Sequence, residues 1–180
     1  MRQTIRVERL LRESVQTTYC DLVTRSTGRA VRASIEQVLA SAGAAEQVAL
    51  LDFSEVGLVD LSCADEIVAK LLQDPPRLTF LVLQGLREEQ LEAIEHVLEH
   101  RDLAALVSDS ADGTARIVGR VSPDLRSAFL SLQSTGPATA AQLAERLGWP
   151  LSQAGEALDS LLRMRLARSA DGLFIAPLSA

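Results

Sequence analysis

The sequence predicts an α/β fold: a mixed sheet flanked by helices, followed by a small helical unit that ends in a hairpin. Two observations support this prediction. Between residues 28 and 107, short apolar runs alternate with segments of helical period, which is the pattern of right-handed crossover units on a largely parallel sheet. From residue 122, three short amphipathic segments precede two short apolar runs separated by a turn. We therefore expect two domains, at residues 1–121 and 122–180.

Two helices are predicted before the first strongly apolar run. Apolar residues recur at helical spacing within residues 7–23, although residues 4–7 also fit the start of a strand. A second apolar stripe predicts a helix over residues 28–42. The run VALLDF at 48–53 is too short and too apolar for a surface helix, so it predicts a buried strand, which GLVDL then continues.

Further helices and strands alternate after this strand. A helical stripe predicts a helix over residues 63–72, which is too short to be stable alone and must pack on the sheet. The run LTFLVL at 78–83 predicts a second buried strand, and the acidic segment 87–99 predicts a helix. A short strand is expected at 105–107. The turn signal Asp112-Gly113 precedes ARIVGRV, which alternates like one more strand.

The last sixty residues predict three helices and a hairpin. The first helix covers Asp124–Gln133, the second is capped by Thr139 and ended by Gly148, and the third is capped by Ser152. The tetrapeptide SADG at 169–172 predicts the turn of a two-stranded hairpin. Over residues 124–178 this order resembles a winged helix-turn-helix.

The winged-helix resemblance implies a DNA-contacting surface, because the third helix of that family usually enters the major groove. In this sequence the implied contacts are Gln153, Arg163, Arg165 and Arg168. Two acids lie on the same predicted helix face and would oppose DNA phosphates. DNA binding, dimerisation and docking of a protein partner therefore all stay open for this unit.

Composition and charge limit the classes of function. Apolar residues make up 47% of the chain and aromatic residues 3%, which predicts an aliphatic core. The net charge of −6 argues against broad nucleic-acid binding. Cys20 and Cys63 cannot form a metal site alone and lack a secreted disulfide pattern. No apolar run approaches the length of a membrane span, so a cytoplasmic protein without membrane contact is expected.

The stretch VDLSCADE at 59–66 holds the candidate site. Ser62 stands where an apolar run ends and a helix is predicted to begin. One interpretation is structural: Ser62-x-x-Asp65 fits an acidic version of the capping box, worth about 1 kcal/mol. The other is regulatory, because a helix N-terminus favours a phosphate electrostatically. Asp60, Asp65 and Glu66 would repel a phosphate charge near −2 if they crowd the same turn.

The segment LLDFSEVGLVDLSCADEIVAKLL resembles the central strand–helix region of the STAS domains, which are anti-sigma-factor-antagonist-like modules, and of their STAS-like variants. The resemblance covers residues 48–110 and is carried by Asp52, Ser54, Val56, Asp60 and Ser62. It implies that Ser62 accepts a phosphate from a kinase partner and that the phosphorylated form releases a partner. The usual Asp-Ser-Ser-Gly motif is present here as DLSC, at residues 60–63.

An enzyme is not predicted. A nucleophilic serine needs a base and an oxyanion site, and the sequence offers only His96 and His100 as bases, on a predicted acidic helix. Their i, i+4 spacing would also allow a metal pair, but a solvated helix end is the simpler interpretation. We predict no cofactor and no metal.

Two hypotheses of function remain. The first is a non-enzymatic bacterial regulator, in which the STAS-like domain contacts a partner through Ser62, Asp60 and Asp65. A histidine-kinase-like ATPase is the expected partner, and the winged helix would dimerise or relay the state. The alternative is a DNA-binding transcription regulator in which the STAS-like domain is the sensor or dimeriser.

Overall fold

The computed structural model describes residues 2–41, 46–75, 79–108 and 114–179. These residues form an α/β structure with a five-stranded mixed sheet flanked by helices, which confirms the predicted fold class. The strands lie in the sheet in chain order; the first four are parallel and the fifth is antiparallel to the fourth. They are β1 (Arg2–Arg6), β2 (Gln47–Asp52), β3 (Thr79–Gln84), β4 (Ala104–Ser108) and β5 (Ala115–Gly119).

The helices and a second, two-stranded sheet complete the described residues. Helix α3 continues through a π-helical turn at Asp65–Ala69 into α4. The helices are α1 (Val7–Val15), α2 (Arg25–Ser41), α3 (Leu61–Ala64), α4 (Lys70–Gln73), α5 (Glu88–His100), α6 (Pro123–Thr135), α7 (Ala140–Leu147) and α8 (Leu151–Arg163). The hairpin strands are β6 (Arg168–Ala170) and β7 (Leu173–Ile175).

One face of the sheet packs against α1 to α5. Strands β1 to β4 are parallel and adjacent in chain order, and each connection between such strands crosses over in the right-handed sense. The connecting helices therefore lie on the same face of the sheet. Alternate sheet residues such as Leu51, Leu83 and Val107 join Ile35 of α2 and Ile94 of α5 in one apolar cluster. Burial of this aliphatic face stabilises the short helices α3 and α4, as the sequence predicts.

The opposite face of the sheet packs against the C-terminal unit. Leu50, Val82 and Leu106 point away from the first cluster and join Phe129 of α6 and Leu158 of α8 in a second one. Residues 123–179 are therefore docked on the sheet by a shared apolar core.

Polar contacts also cross between the sheet and the C-terminal unit. The backbone N–H of Ala115 donates to the side chain of Gln133 over 2.7 Å. Arg126 donates to the carbonyl of Ile117 over 2.6 Å. Backbone groups at β5 are thus satisfied by side chains of α6, as buried polar groups require.

Local signals predicted most of the C-terminal unit. Thr139 accepts from the backbone N–H of Gln142 and caps α7, and Gly148 ends that helix in the left-handed conformation, as predicted. The predicted cap at Ser152 is wrong, because α8 begins at Leu151 and its N-cap is Pro150. Proline fixes the backbone that enters the helix without any side-chain cap.

Two predictions for the N-terminal part need correction. The helix predicted within 7–23 ends at Val15, where Gln16 takes the left-handed conformation with φ 52°, and residues 2–6 form the strand β1. The GLVDL segment does not continue β2; it contributes a single bridge, Leu22 to Val59. The predicted Asp112-Gly113 turn lies outside the described residues. Within the described residues, no helix combines the length and apolar character needed to cross a bilayer.

The shared sheet predicts that both parts of the chain unfold together. Ile67 is buried against the first face of the sheet, and Ile67→Ala should lower the free energy of unfolding by about 2–5 kcal/mol. Trp149, the only tryptophan of the chain, packs in the second cluster and reports on the C-terminal unit. Its fluorescence transition in denaturant should shift as far as the circular dichroism transition.

Leu130→Ala is the matched control, because Leu130 is exposed on α6 and its truncation should change stability by less than about 0.5 kcal/mol. A Trp149 transition that stays in place in Ile67→Ala would show two independently unfolding units.

Candidate functional site

The carboxylate of Asp60 organises the start of α3. One oxygen, Oδ1, accepts from the backbone N–H of Cys63 over 2.7 Å and from the hydroxyl of Ser62 over 2.8 Å. The other oxygen, Oδ2, accepts from the backbone N–H of Thr24, the residue before α2, over 2.9 Å. Asp60 is therefore the N-cap of α3, and it also ties the segment before α2 to the start of α3.

Ser62 is the second residue of α3 and not its cap, so the predicted Ser62-x-x-Asp65 capping box is wrong. The physical reason is that Asp60 has the extended backbone of an N-cap, with φ −79° and ψ 163°, and its carboxylate reaches the free N–H groups first. The half-buried Ser62 donates its hydroxyl to this carboxylate. The sequence predicted the cap at Ser62, whereas the structure has it two residues earlier, at Asp60.

Helix α2 approaches α3 closely at Gly28. A Cβ atom at Gly28 would lie 3.0 Å from the Cα of Cys63 and 3.0 Å from the Cβ of Glu66. A side chain at this position would force these neighbours to shift by a few tenths of an ångström. Since Arg25 and Arg32 lie three residues before and four residues after Gly28, the same helix face carries both guanidinium groups towards α3.

Asp65 and Glu66 are buried and paired with four cationic side chains. Asp65 and Glu66 are only 6% and 0% exposed as residues. Arg25 donates from Nη1 to both, over 2.9 Å to Asp65 and 3.0 Å to Glu66. Lys70 contacts Glu66 at 2.5 Å and Arg101 contacts Asp65 at 2.7 Å. The two acids therefore do not face Ser62 as free charges.

One further cation completes this ion cluster. Arg32 lies 3.6 Å from the second oxygen of Glu66, Oε2, which has no hydrogen-bond partner in the described structure. Arg32 also pairs with Glu36 at 2.8 Å, so four cations surround three carboxylates and leave an excess of one positive charge in a chain whose net charge is −6. The π-helical turn at Asp65–Ala69 coincides with the cluster, and such turns are frequent at functional sites.

The pKa values of the acids follow from these contacts. Burial alone would raise the pKa of Asp60, but the hydrogen bonds from Cys63, Thr24 and Ser62 outweigh it and hold the pKa below its usual range. Burial likewise opposes ionisation of Asp65 and Glu66, and their cationic partners lower both pKa values. All three groups are therefore anionic at neutral pH.

Several exposed apolar side chains lie on the segments that meet at this site. Leu22 and Val59 bridge the segments 20–24 and 57–60 and point inward, so their neighbours Val23 and Leu58 point outward. Of the seven exposed large apolar side chains among the described residues, four lie in or beside these two segments: Tyr19, Val23, Leu58 and Leu61. A fifth, Val15 at the end of α1, lines the same hollow as Tyr19 and Val23.

The thiol of Cys63 is unreactive. Burial, together with the negative charge of Asp60, raises the pKa of its thiol to about 12. Its sulfur donates to the carbonyl of Thr24 over 3.1 Å. A protonated buried thiol is neither a nucleophile nor a metal ligand. In the part of the chain that the structure describes, no three His, Cys, Asp or Glu side chains converge to hold a metal.

The four implied DNA contacts do not form one exposed basic surface. Arg165 donates to the backbone carbonyl of Thr79 in β3, and Arg168 pairs with Glu46 at 3.3 Å. Both arginines are therefore turned towards the sheet. Arg163 donates to Ser160 within α8, and Gln153 donates to an acid of α6 over 3.0 Å.

Sequence analysis missed Arg25, Arg32, Lys70 and Arg101 as members of the site. The available signal is Arg25-x-x-Gly28-x-x-x-Arg32, which places two cations and a small residue on one face of α2. Comparison with models of protein families and with curated proteins finds no match to this chain.

The cap geometry predicts unequal effects of two alanine substitutions. Asp60→Ala removes the acceptor of three hydrogen bonds and should cost about 1–2 kcal/mol in the free energy of unfolding. Ser62→Ala should cost less than about 1 kcal/mol, because the carboxylate keeps both backbone donors and alanine favours helix.

Denaturant unfolding measures both effects, with Asp159→Ala on the exposed face of α8 as the control. Equal costs, or a larger cost for Ser62→Ala, would contradict the assignment of Asp60 as the cap.

Proposed function

We propose that this chain is a non-enzymatic cytoplasmic regulator whose STAS-like domain binds a protein partner at the surface around Ser62. Phosphorylation of Ser62 by a histidine-kinase-like ATPase is the switch in this proposal. The observation that carries it is the hydrogen bond from Ser62 to Asp60, because the same carboxylate holds Thr24 and Cys63 in place.

Phosphorylation would act directly on this carboxylate. A phosphoserine at position 62 has no hydroxyl proton to donate, and its charge near −2 would lie beside the anionic Asp60. Repulsion would then displace the turn that carries the exposed Leu58 and Leu61. Exposed apolar patches mark sites of protein contact, so displacement of this patch would release the partner.

The ion cluster supports the same proposal. The sequence suggested that Asp65 and Glu66 would repel a phosphate, but both acids are buried and paired with cations. Positions three and four residues after Ser62 lie on the neighbouring helix surface, and the Arg25 guanidinium contacts the side chains at both. A phosphate on Ser62 would therefore find a cation one turn away.

The C-terminal unit would relay the state by self-association or by docking. Its exposed apolar side chains Leu130 and Leu151 support contact with a second copy or another protein. Its apolar core is continuous with one face of the sheet, which gives a physical route between the two parts.

The proposed switch predicts a loss of phosphorylation in one Ser62 variant and a loss of partner affinity in another. Incubation with each histidine-kinase-like ATPase encoded in the same genome should add one phosphoryl group to the wild type, detected by intact-mass spectrometry. Ser62→Ala should abolish that addition, whereas Ser134→Ala, an exposed serine on α6, should keep it. Ser62→Glu should weaken binding of the partner about tenfold, since one lost charged contact is worth roughly that much.

Phosphorylation mapped to another residue would remove Ser62 as the acceptor. Unchanged partner affinity in both Ser62→Ala and Ser62→Glu would end the switch proposal.

DNA binding is the second candidate and is supported by the order α7, turn, α8, hairpin. Its weakness is that Arg165 and Arg168 contact the sheet side. If the chain binds duplex DNA through phosphates, affinity must fall steeply as salt rises, and Arg163→Gln should reduce that slope by about 1. Fluorescence anisotropy measures both, and absence of binding at low salt would remove this candidate.

A further inference from the structure

We infer that the hollow between α3 and the end of α5 binds a phosphate ion or a small phosphomonoester. This hollow has a volume of about 250 Å³ and lies beside the ion cluster. Its lining consists of Arg25, Leu61, Asp65, His96, Val97, His100 and Arg101. The inference goes beyond the proposed function and does not depend on modification of Ser62.

Asp65 positions two guanidinium groups at this hollow. Its Oδ2 accepts from Arg25 over 2.9 Å, and its Oδ1 accepts from Nε of Arg101 over 3.0 Å. The carboxylate is nearly buried, with a side chain 8% exposed, whereas the Arg25 and Arg101 side chains are 51% and 43% exposed. The acid is thus covered, and the cations face the opening.

Both guanidinium groups keep unused donors. Arg25 bonds through Nη1, so its Nε and Nη2 have no hydrogen bond to any of the described residues. Arg101 bonds through Nε and Nη2, so its Nη1 is likewise without an acceptor among them. A phosphate carries three or four acceptor oxygens and suits the fork geometry of arginine.

The facing helix adds two more nitrogen donors. His96 and His100 are exposed and spaced i, i+4 on α5, so their rings lie one above the other at the same hollow. The i, i+4 spacing alone would also allow a metal pair, but two arginines lie across the same hollow. The two guanidinium groups favour an anion and oppose a cation, and each imidazole can add an N–H donor.

The size of the hollow limits the ligand. Pockets for drug-sized molecules usually measure about 300–1,000 Å³, so a volume near 250 Å³ suits an ion or the phosphate end of a small molecule. The net positive charge of the ion cluster attracts an anion to this hollow, whereas the rest of the chain is acidic.

The test is a titration of the full chain with inorganic phosphate, followed by amide and arginine side-chain nuclear magnetic resonance at constant ionic strength. Saturable shifts are expected at residues 61, 65 and 96–101. Arg101→Gln should weaken binding at least about tenfold. Arg120→Gln, an arginine 69% exposed and paired with exposed Asp102, should bind phosphate like the wild type.

Two further variants keep the test decisive if Arg101→Gln fails to fold. Arg101→Lys retains the charge but loses the fork, and the double variant His96→Ala/His100→Ala changes only exposed side chains; each should weaken binding several-fold. Ser62→Ala should bind phosphate unchanged, which separates this site from the Ser62 switch. Chemical shifts that do not saturate with phosphate would overturn the inference. Wild-type phosphate affinity in both Arg101→Lys and His96→Ala/His100→Ala would overturn it as well.

Discussion

The hydrogen bonds to Asp60 are the interaction on which the arrangement of the candidate site depends. One carboxylate holds a backbone N–H from the segment before α2, a backbone N–H from α3 and the hydroxyl of Ser62. Charge-assisted bonds of this kind are about twice as strong as neutral ones. Because α2 packs closely against α3 at Gly28, a shift of this junction would also move Arg25 and the buried acids.

The buried ion cluster is better explained by specificity than by stability. Burial of a carboxylate such as Glu66 costs several kcal/mol before any pairing, and a buried ion pair is often no more stable than an apolar replacement. Its members bring α2, the π-helical turn and the end of α5 to one point through directional contacts. An apolar contact would not fix these three elements in one register, and it would leave no cations at the surface.

The sequence predicted the elements better than the site. The strands β2 and β3 were predictable because apolar runs of that length can only be buried. The roles of Thr139 and Gly148 at the ends of α7 were predictable because helix caps act locally. The cap of α3 was not predictable from the sequence, because Asp60 and Ser62 are both good cap residues. The choice between them depends on Thr24, which lies 36 residues away. Burial of Asp65 was not predictable either, since its partner Arg25 lies 40 residues earlier.

The position of the C-terminal unit limits how the proposed modification of Ser62 could affect it. Strand β2 sends Ala49 and Leu51 into the first apolar cluster and Val48 and Leu50 into the second. The two clusters are therefore opposite faces of the same strands, and packed interiors transmit displacement because they contain few voids. A movement of α3 against the first face would reach α6 and α8 through these strands. A unit joined only by a flexible linker would not respond, so the relay that we propose depends on this docking of the C-terminal unit on the sheet.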